Sequence, residues 1–159
     1  MREPSQVLGS KHKEGIMLNE VSSNIDKFIF GGKCDFCIVQ DNNKPDSAFK
    51  FRYYMKKGKF KDCYLVSGSK NSSASKLEYL GCIKVEGDGR YTCKQAEKIS
   101  DDGEYLLKGL LWVLEHIKEL PDRVHIVHNG KCSVCGRTLT DELSVSRGIG
   151  PTCMAKLLK

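Results

Sequence analysis

No stretch of the chain approaches the roughly 18 to 20 consecutive apolar residues that a membrane-spanning helix needs. The leading residues, Met1 to Gly15, are polar and charged and lack the apolar core of a secretion signal. These two absences lead us to expect a soluble, cytoplasmic chain with no membrane partner. Catalytic groups are equally sparse. The four histidines are His12, His116, His125 and His128, the carboxylates are scattered, and neither a phosphate loop nor a Ser/His/Asp or Cys/His arrangement is present. The expectation is a protein that is not an enzyme and takes no small-molecule substrate. No internal repeat is evident, so 159 residues leave room for one ordinary domain and a small appendage.

What the chain does have is cysteine, eight in all. In a reducing compartment these read better as three metal ligands and five small buried hydrophobes than as four disulfides. The three fall in the spacing Cys132-x2-Cys135-x17-Cys153. Two thiolates separated by two residues can hold one tetrahedral metal from a single turn, and Gly136 relieves the sterics of that turn. Gly150-Pro151 precedes Cys153 as the start of a short helix would, so Cys153 is presented from a first helical turn. A fourth ligand is sought among the two histidines upstream, and His128 is favoured over His125. It lies four residues before Cys132 with Asn129-Gly130 between them as a turn signal, and alternation along 124–128 allows at most one of the pair to face the metal. A Cys3His shell of His128, Cys132, Cys135 and Cys153 would be a closed, structural zinc site. Its small unit, poor in apolar residues, would depend on zinc for stability. Cys34 and Cys37 form a second Cys-x-x-Cys, with Cys63, Cys82 and Cys93 as further donors. Within an extended segment residues three apart point to opposite faces, which speaks against a second zinc.

The remaining pattern is an α+β one: a mostly antiparallel sheet covered by one helix, followed by a small zinc-knuckle unit of treble-clef-like form. Residues 1–24 read as a flexible arm, 25–122 as the sheet and helix, and 123–159 as the zinc unit. Phe28-Ile29-Phe30 and Cys34 to Val39 read as one strand interrupted at Gly31-Gly32, with a loop at Asp41 to Asp46 after it. Further strands are expected at Phe49 to Tyr53, Cys63 to Ser67 and Leu77 to Val85, and a hairpin at Gly87-Asp88-Gly89 leads to Arg90 to Cys93. Leu106, Leu110, Val113, Ile117 and Leu120 recur at helical spacing. Asp101 and Glu104 resemble a capping box at one end of that helix, and Pro121 stops the other.

Charge is unevenly placed. Residues 28–98 hold 14 Lys/Arg against 8 Asp/Glu, a net of +6, whereas the segments on either side each balance to zero. Lys50, Arg52, Lys56, Lys57, Lys59 and Lys61 cluster on and beside one hairpin, interleaved with Tyr53, Tyr54 and Phe60. Such a patch can track phosphates and stack a base. Lysine-rich edges also serve merely to discourage aggregation, and both readings stay open here.

The run from His128 through Cys132-Ser133-Val134-Cys135-Gly136-Arg137, then Ser144 and Gly148-Ile149-Gly150-Pro151-Thr152-Cys153, resembles a small zinc-ligand domain of unknown function found in bacteriophage and actinobacterial proteins. More loosely, the strands and helix before it look like the region that precedes this domain in some phage members. The resemblance implies a viral origin, hence host cytoplasm, and supports His128 as the fourth ligand. Where that family usually has Pro after Thr-Asp, this chain has Glu142. Two functions fit these features. One is nucleic-acid binding through the basic sheet face, with Tyr54 beside the lysines and with Arg137 and Arg147 of the zinc unit gripping phosphates. The other is a protein-interaction module, a phage-made modulator of a host complex, docking through the same positive face.

Overall fold

In the computed structural model the described residues are 19–40 and 49–157. Most of the expected arm and the loop at Asp41 to Asp46 lie outside them. Within them, β1 (Asn19–Glu20), α1 (Ile25–Ile29), β2 (Lys33–Gln40), β3 (Phe49–Lys57), β4 (Cys63–Ser69), β5 (Glu78–Val85), β6 (Tyr91–Gln95), α2 (Asp101–Glu115), β7 (Val124–His128), α3 (Glu142–Arg147) and α4 (Pro151–Leu157) follow in order. The strands form one seven-stranded sheet in the order β1-β7-β2-β3-β4-β5-β6. Every neighbouring pair is antiparallel. No helix among the described residues is long and apolar enough to cross a membrane.

Alternation divides the sheet into two faces. On one, Cys34, Phe36 and Ile38 of β2 stand opposite Met55, Tyr53 and Phe51 of β3, and Val66, Leu80, Ile83 and Ile126 continue the layer. The apolar stripe of α2 covers it: Leu106, Leu107, Leu110, Val113 and Leu114 are all buried. Burial of each such side chain contributes about 1.5–3 kcal/mol. Tyr53 ties the layers together, donating its hydroxyl to the Leu106 carbonyl at 2.7 Å. That buried phenol is pushed well above its ordinary pKa, chiefly by desolvation.

The helix differs from its sequence reading at both ends. The cap is Ser100, whose hydroxyl oxygen accepts from Gly103 N at 2.9 Å. Instead of Glu104 reaching back, Glu78 of β5 takes the Ser100 N–H at 2.7 Å and the Ser100 hydroxyl at 2.6 Å. At the other end α2 stops before Pro121, at His116, where the imidazole Nδ1 sits 2.8 Å from the Trp112 carbonyl and the ring stacks on Trp112. Ile117 and Leu120 still pack against the core from the turn that follows.

Phe28-Ile29-Phe30, expected as a strand, belong to α1 and its C-terminal cap instead. Phe28 is driven into the core between Phe36 and His128. Gly31 then meets the C-terminal segment so closely that a Cβ there would overlap Ser133. Lys33 N donates to Ser133 O at 2.7 Å, which fastens the start of β2 to the cysteine turn.

The single covering helix is therefore joined by three short ones. Asn19 and Glu20, expected in the arm, pair with β7, and β7 lies between β1 and β2 in the sheet. One core runs from Phe28 through the α2 leucines to Cys132, Leu139, Val145, Ile149 and Met154.

Candidate metal centre and sheet face

The cysteine turn is built by local hydrogen bonding. Gly136 N donates to Cys132 O at 2.9 Å and Cys132 N to Arg137 O at 2.8 Å, with Lys131 and Thr138 forming a small bridge. Gly136 adopts φ 81°, a left-handed conformation that a side chain disfavours. Asp141 caps α3 by accepting from Ser144 N at 3.0 Å, and Gly148 ends it. The chain then turns through Gly150 into α4, which carries Cys153 in its first turn.

These elements bring Cys132, Cys135 and Cys153 together, with the three sulfurs within 4.8 Å of one another. Sulfurs bound at about 2.3 Å around a tetrahedral zinc stand about 3.8 Å apart, so a contraction of at most about 1 Å would bring the three to ligating distance. The backbone is already arranged for negative sulfur: Gly150 N and Val134 N point at Cys132 Sγ at 3.3 and 3.4 Å. Burial alone would raise the Cys132 thiol, but the amides of Gly150, Cys135 and Val134 outweigh it and hold the group below the ordinary value. Cys153 goes the other way, pushed up to about 11 by desolvation and by its two sulfur neighbours. Three thiols this close could hold a metal ion, and zinc would suit a donor set of sulfurs.

His128 stands apart from that cluster. Its ring is fully buried, with Nε2 2.7 Å from the Val145 carbonyl and Nδ1 2.9 Å from Gly130 N, its acceptor role fixed by that amide. With one nitrogen facing α3 and the other the turn before Cys132, the imidazole links the sheet to the cysteine unit instead of joining the sulfurs. His125 lies on the opposite face of β7, 2.8 Å from Glu20. Among the described residues no imidazole or carboxylate completes the set with the three thiols. Cys34 and Cys37 fall on opposite faces of β2, one in the main core and the other in a small cluster with Val127.

The second sheet face is the one that α2 leaves uncovered; toward β7 Cys37 and Val127 are nonetheless buried on it, and it is exposed at Lys33, Lys56, Leu65, Tyr79 and Lys94. Lys33 and Lys56 sit directly opposite each other across β2 and β3, and the same row continues through Leu65, Cys82 and Lys94 on β4, β5 and β6. Neither Lys33 nor Lys56 has an acidic partner within ion-pair distance among the described residues. Leu65 and Tyr79 on this face are 42% and 47% exposed. Lys84 adds a further charge, with Glu86 4.0 Å away.

Of the residues that the sequence assigned to this surface, Lys50, Tyr54 and Lys56 lie on the uncovered face of β3. Lys57 ends that strand, and Lys59 and Lys61 are exposed on the turn to β4, beside Phe60. Arg52 is a correction. Its guanidinium makes a two-pronged pair with Asp35 at 3.0 and 2.7 Å and gives its remaining arm to Ala74 O at 2.6 Å, so it fastens the 70–77 loop instead of meeting a ligand. Arg137 is exposed next to Gly136, which faces the Lys33 side chain. Arg147 is half-buried on α3, near Asp141. Lys33, Leu65, Tyr79, Lys84 and Lys94 were not singled out from sequence, because each is an ordinary strand residue until the register sets them side by side.

Fold and site together define an α+β protein in which one antiparallel sheet carries a C-terminal three-cysteine metal-type cluster. Residues 123–158 are similar to a family of unknown function (DUF6011). No curated protein and no solved structure matches the chain.

Proposed function

We propose that the protein binds single-stranded nucleic acid across the uncovered sheet face and performs no catalysis, with a zinc ion on Cys132, Cys135 and Cys153 holding the end of that face in place. The observation that carries this reading is the Lys33–Lys56 pair. Like charges set directly opposite on a sheet are destabilising, and among the described residues neither lysine has an acidic group within ion-pair distance, the nearby Asp35 being paired with Arg52. A fold keeps such a cost where a ligand supplies the counter-charge. Exposed Leu65 and Tyr79 beside the lysines offer apolar and stacking surface to bases, while the cations follow the backbone. Lys57, Lys59 and Lys61 extend the same positive edge over the hairpin end, and Arg137 extends it onto the cysteine turn.

The cysteine unit reads as treble-clef-like: a turn bearing two thiols, a short bridge and a helix bearing the third. Bound zinc would lock this arrangement by cross-linking the turn to α4. With no acid or base beside the sulfurs among the described residues, the metal's part is structural. In the viral setting that the resemblance implies, the ligand would be phage or host nucleic acid.

The test is retention of labelled single- and double-stranded DNA and RNA at two salt concentrations, for the wild type and for a Lys33→Glu/Lys56→Glu variant. Single strands should bind with an affinity that falls with salt by a log–log slope of about −0.7 per phosphate contact, and the variant should lose at least two contacts' worth. Absence of binding at low salt would reject the reading and turn attention to a protein partner.

A further inference from the structure

On the opposite side of the sheet, where α2 crosses the ends of β2, β3 and β7, an open cavity of about 430 Å³ lies over Ile38, Val113 and Val124. Its volume is in the range of small-ligand sites. Tyr105 and Trp112 line it, and both keep much of their surface in solvent, at 54% and 39% exposed. Large aromatics in the middle of an amphipathic helix ordinarily bury themselves. Here they stand one turn either side of Gly109, also in the lining.

Glycine within a helix costs about 1 kcal/mol relative to alanine. Packing among the described residues does not require it at this position: of these, a Cβ on Gly109 would meet only the Tyr53 hydroxyl, at an ordinary 3.6 Å. The missing side chain leaves the cavity open between Tyr105, which meets Phe51 edge-on and has Lys70 Nζ 4.8 Å from its ring centre, and Trp112, which stacks on His116. Two cations, Lys108 and Arg123, also line the site, and neither has an ion-pair partner among the described residues.

We propose that this cavity binds a planar aromatic ligand carrying negative charge, of the chemical class of a nucleotide. The ring enters over Gly109 between Tyr105 and Trp112, and the phosphate lies against Lys108 and Arg123. Stacking and cation contact supply the affinity, as they do in base recognition on aromatic side chains. The site is separate from the uncovered sheet face and stands independently of the function proposed for it.

Trp112 is the one tryptophan of the chain, so its indole N–H gives a single, unambiguous NMR resonance that reports on the cavity. The zinc-loaded full chain is titrated with adenosine, adenosine monophosphate and a short oligonucleotide. The expected result is a saturable shift of that resonance with the mononucleotide at a concentration of about 1 mM or below. Adenosine should bind at least about tenfold more weakly, since it lacks the charge. A free nucleotide as ligand predicts tighter binding of the monophosphate than of each oligonucleotide unit; the reverse order identifies a strand end as the source of the same chemistry.

Gly109→Leu fills the cavity while favouring the helix, so it should abolish the shift with the rest of the spectrum preserved. Lys108→Ala/Arg123→Ala should bring the monophosphate down to the level of adenosine. Lys33→Glu/Lys56→Glu should leave the shift unchanged, which keeps failure here distinct from failure of the sheet-face reading. No shift with any ligand, equal affinity for adenosine and its monophosphate, or a shift that survives Gly109→Leu would each overturn the proposal.

Discussion

His128 and Arg52 carry the chemistry expected of binding residues, yet both are used within the fold. His128 bridges Val145 O and Gly130 N from a site with no solvent exposure. Removing the ring leaves a buried carbonyl and a buried amide without partners, at a cost of about 1–3 kcal/mol each. His128→Ala should accordingly destabilise by about 3 kcal/mol in a urea titration and still bind about one zinc per chain by elemental analysis. Cys132→Ser and Cys135→Ser should do the opposite at the metal, dropping its content to near zero. A folded His128→Ala protein without zinc would restore the histidine as a ligand. The thiols were legible because the turn that gathers two of them is made of adjacent residues. The histidine was not, because its partner in α3 lies 17 positions along the chain and only tertiary packing brings it near. Arg52 failed similarly: its claim to a ligand was read from strand alternation alone, and Asp35 is a partner only through the β2–β3 register.

Among the elements, caps decide where helices begin, and the sequence reading of the α2 cap, Asp101 with Glu104, is one residue off and has the wrong partner. The Ser100 cap of α2 is completed by Glu78, 22 residues earlier, which no local capping pattern can show. Ser100→Ala should cost about 1 kcal/mol, measured by the shift in denaturation midpoint. The Asp141 cap of α3 is a local feature with a pH signature. Hydrogen bonds from Ser144, with a smaller share from Arg147, hold its carboxyl below the ordinary range. A carboxyl depressed in the folded state adds stability that is complete above its unfolded value of about 3.9 and lost as the pH falls through the lower folded value. The stability difference between wild type and Asp141→Asn should therefore be flat from neutrality to about pH 5 and vanish in stronger acid. A difference that grew on acidification would contradict this account of the cap. The long amphipathic α2 and the strands from Phe49 to Val85 could be read from periodicity. Phe28-Ile29-Phe30 could not, since three consecutive apolar residues fit a buried helix and a strand equally well. Two-residue β1 carries no pattern at all.

For the whole molecule, the sheet and the cysteine unit share one core, and Lys33 is the joint: its amide is bonded to the cysteine turn and its side chain belongs to the uncovered face. Sequence showed an excess of positive charge between residues 28 and 98 but not its arrangement, which comes from cross-strand register over five strands. Because zinc ligation requires thiolates, acidification should release the metal as the sulfurs are protonated. Loss of metal should then loosen the turn that Lys33 and Arg137 flank, and with it the end of the binding face. The most direct measurement is the affinity for a labelled single-stranded oligonucleotide before metal extraction, after it, and after zinc is restored. The account predicts a fall of about tenfold or more on extraction, recovered with zinc. Affinity that is unchanged in protein shown to be metal-free would contradict it.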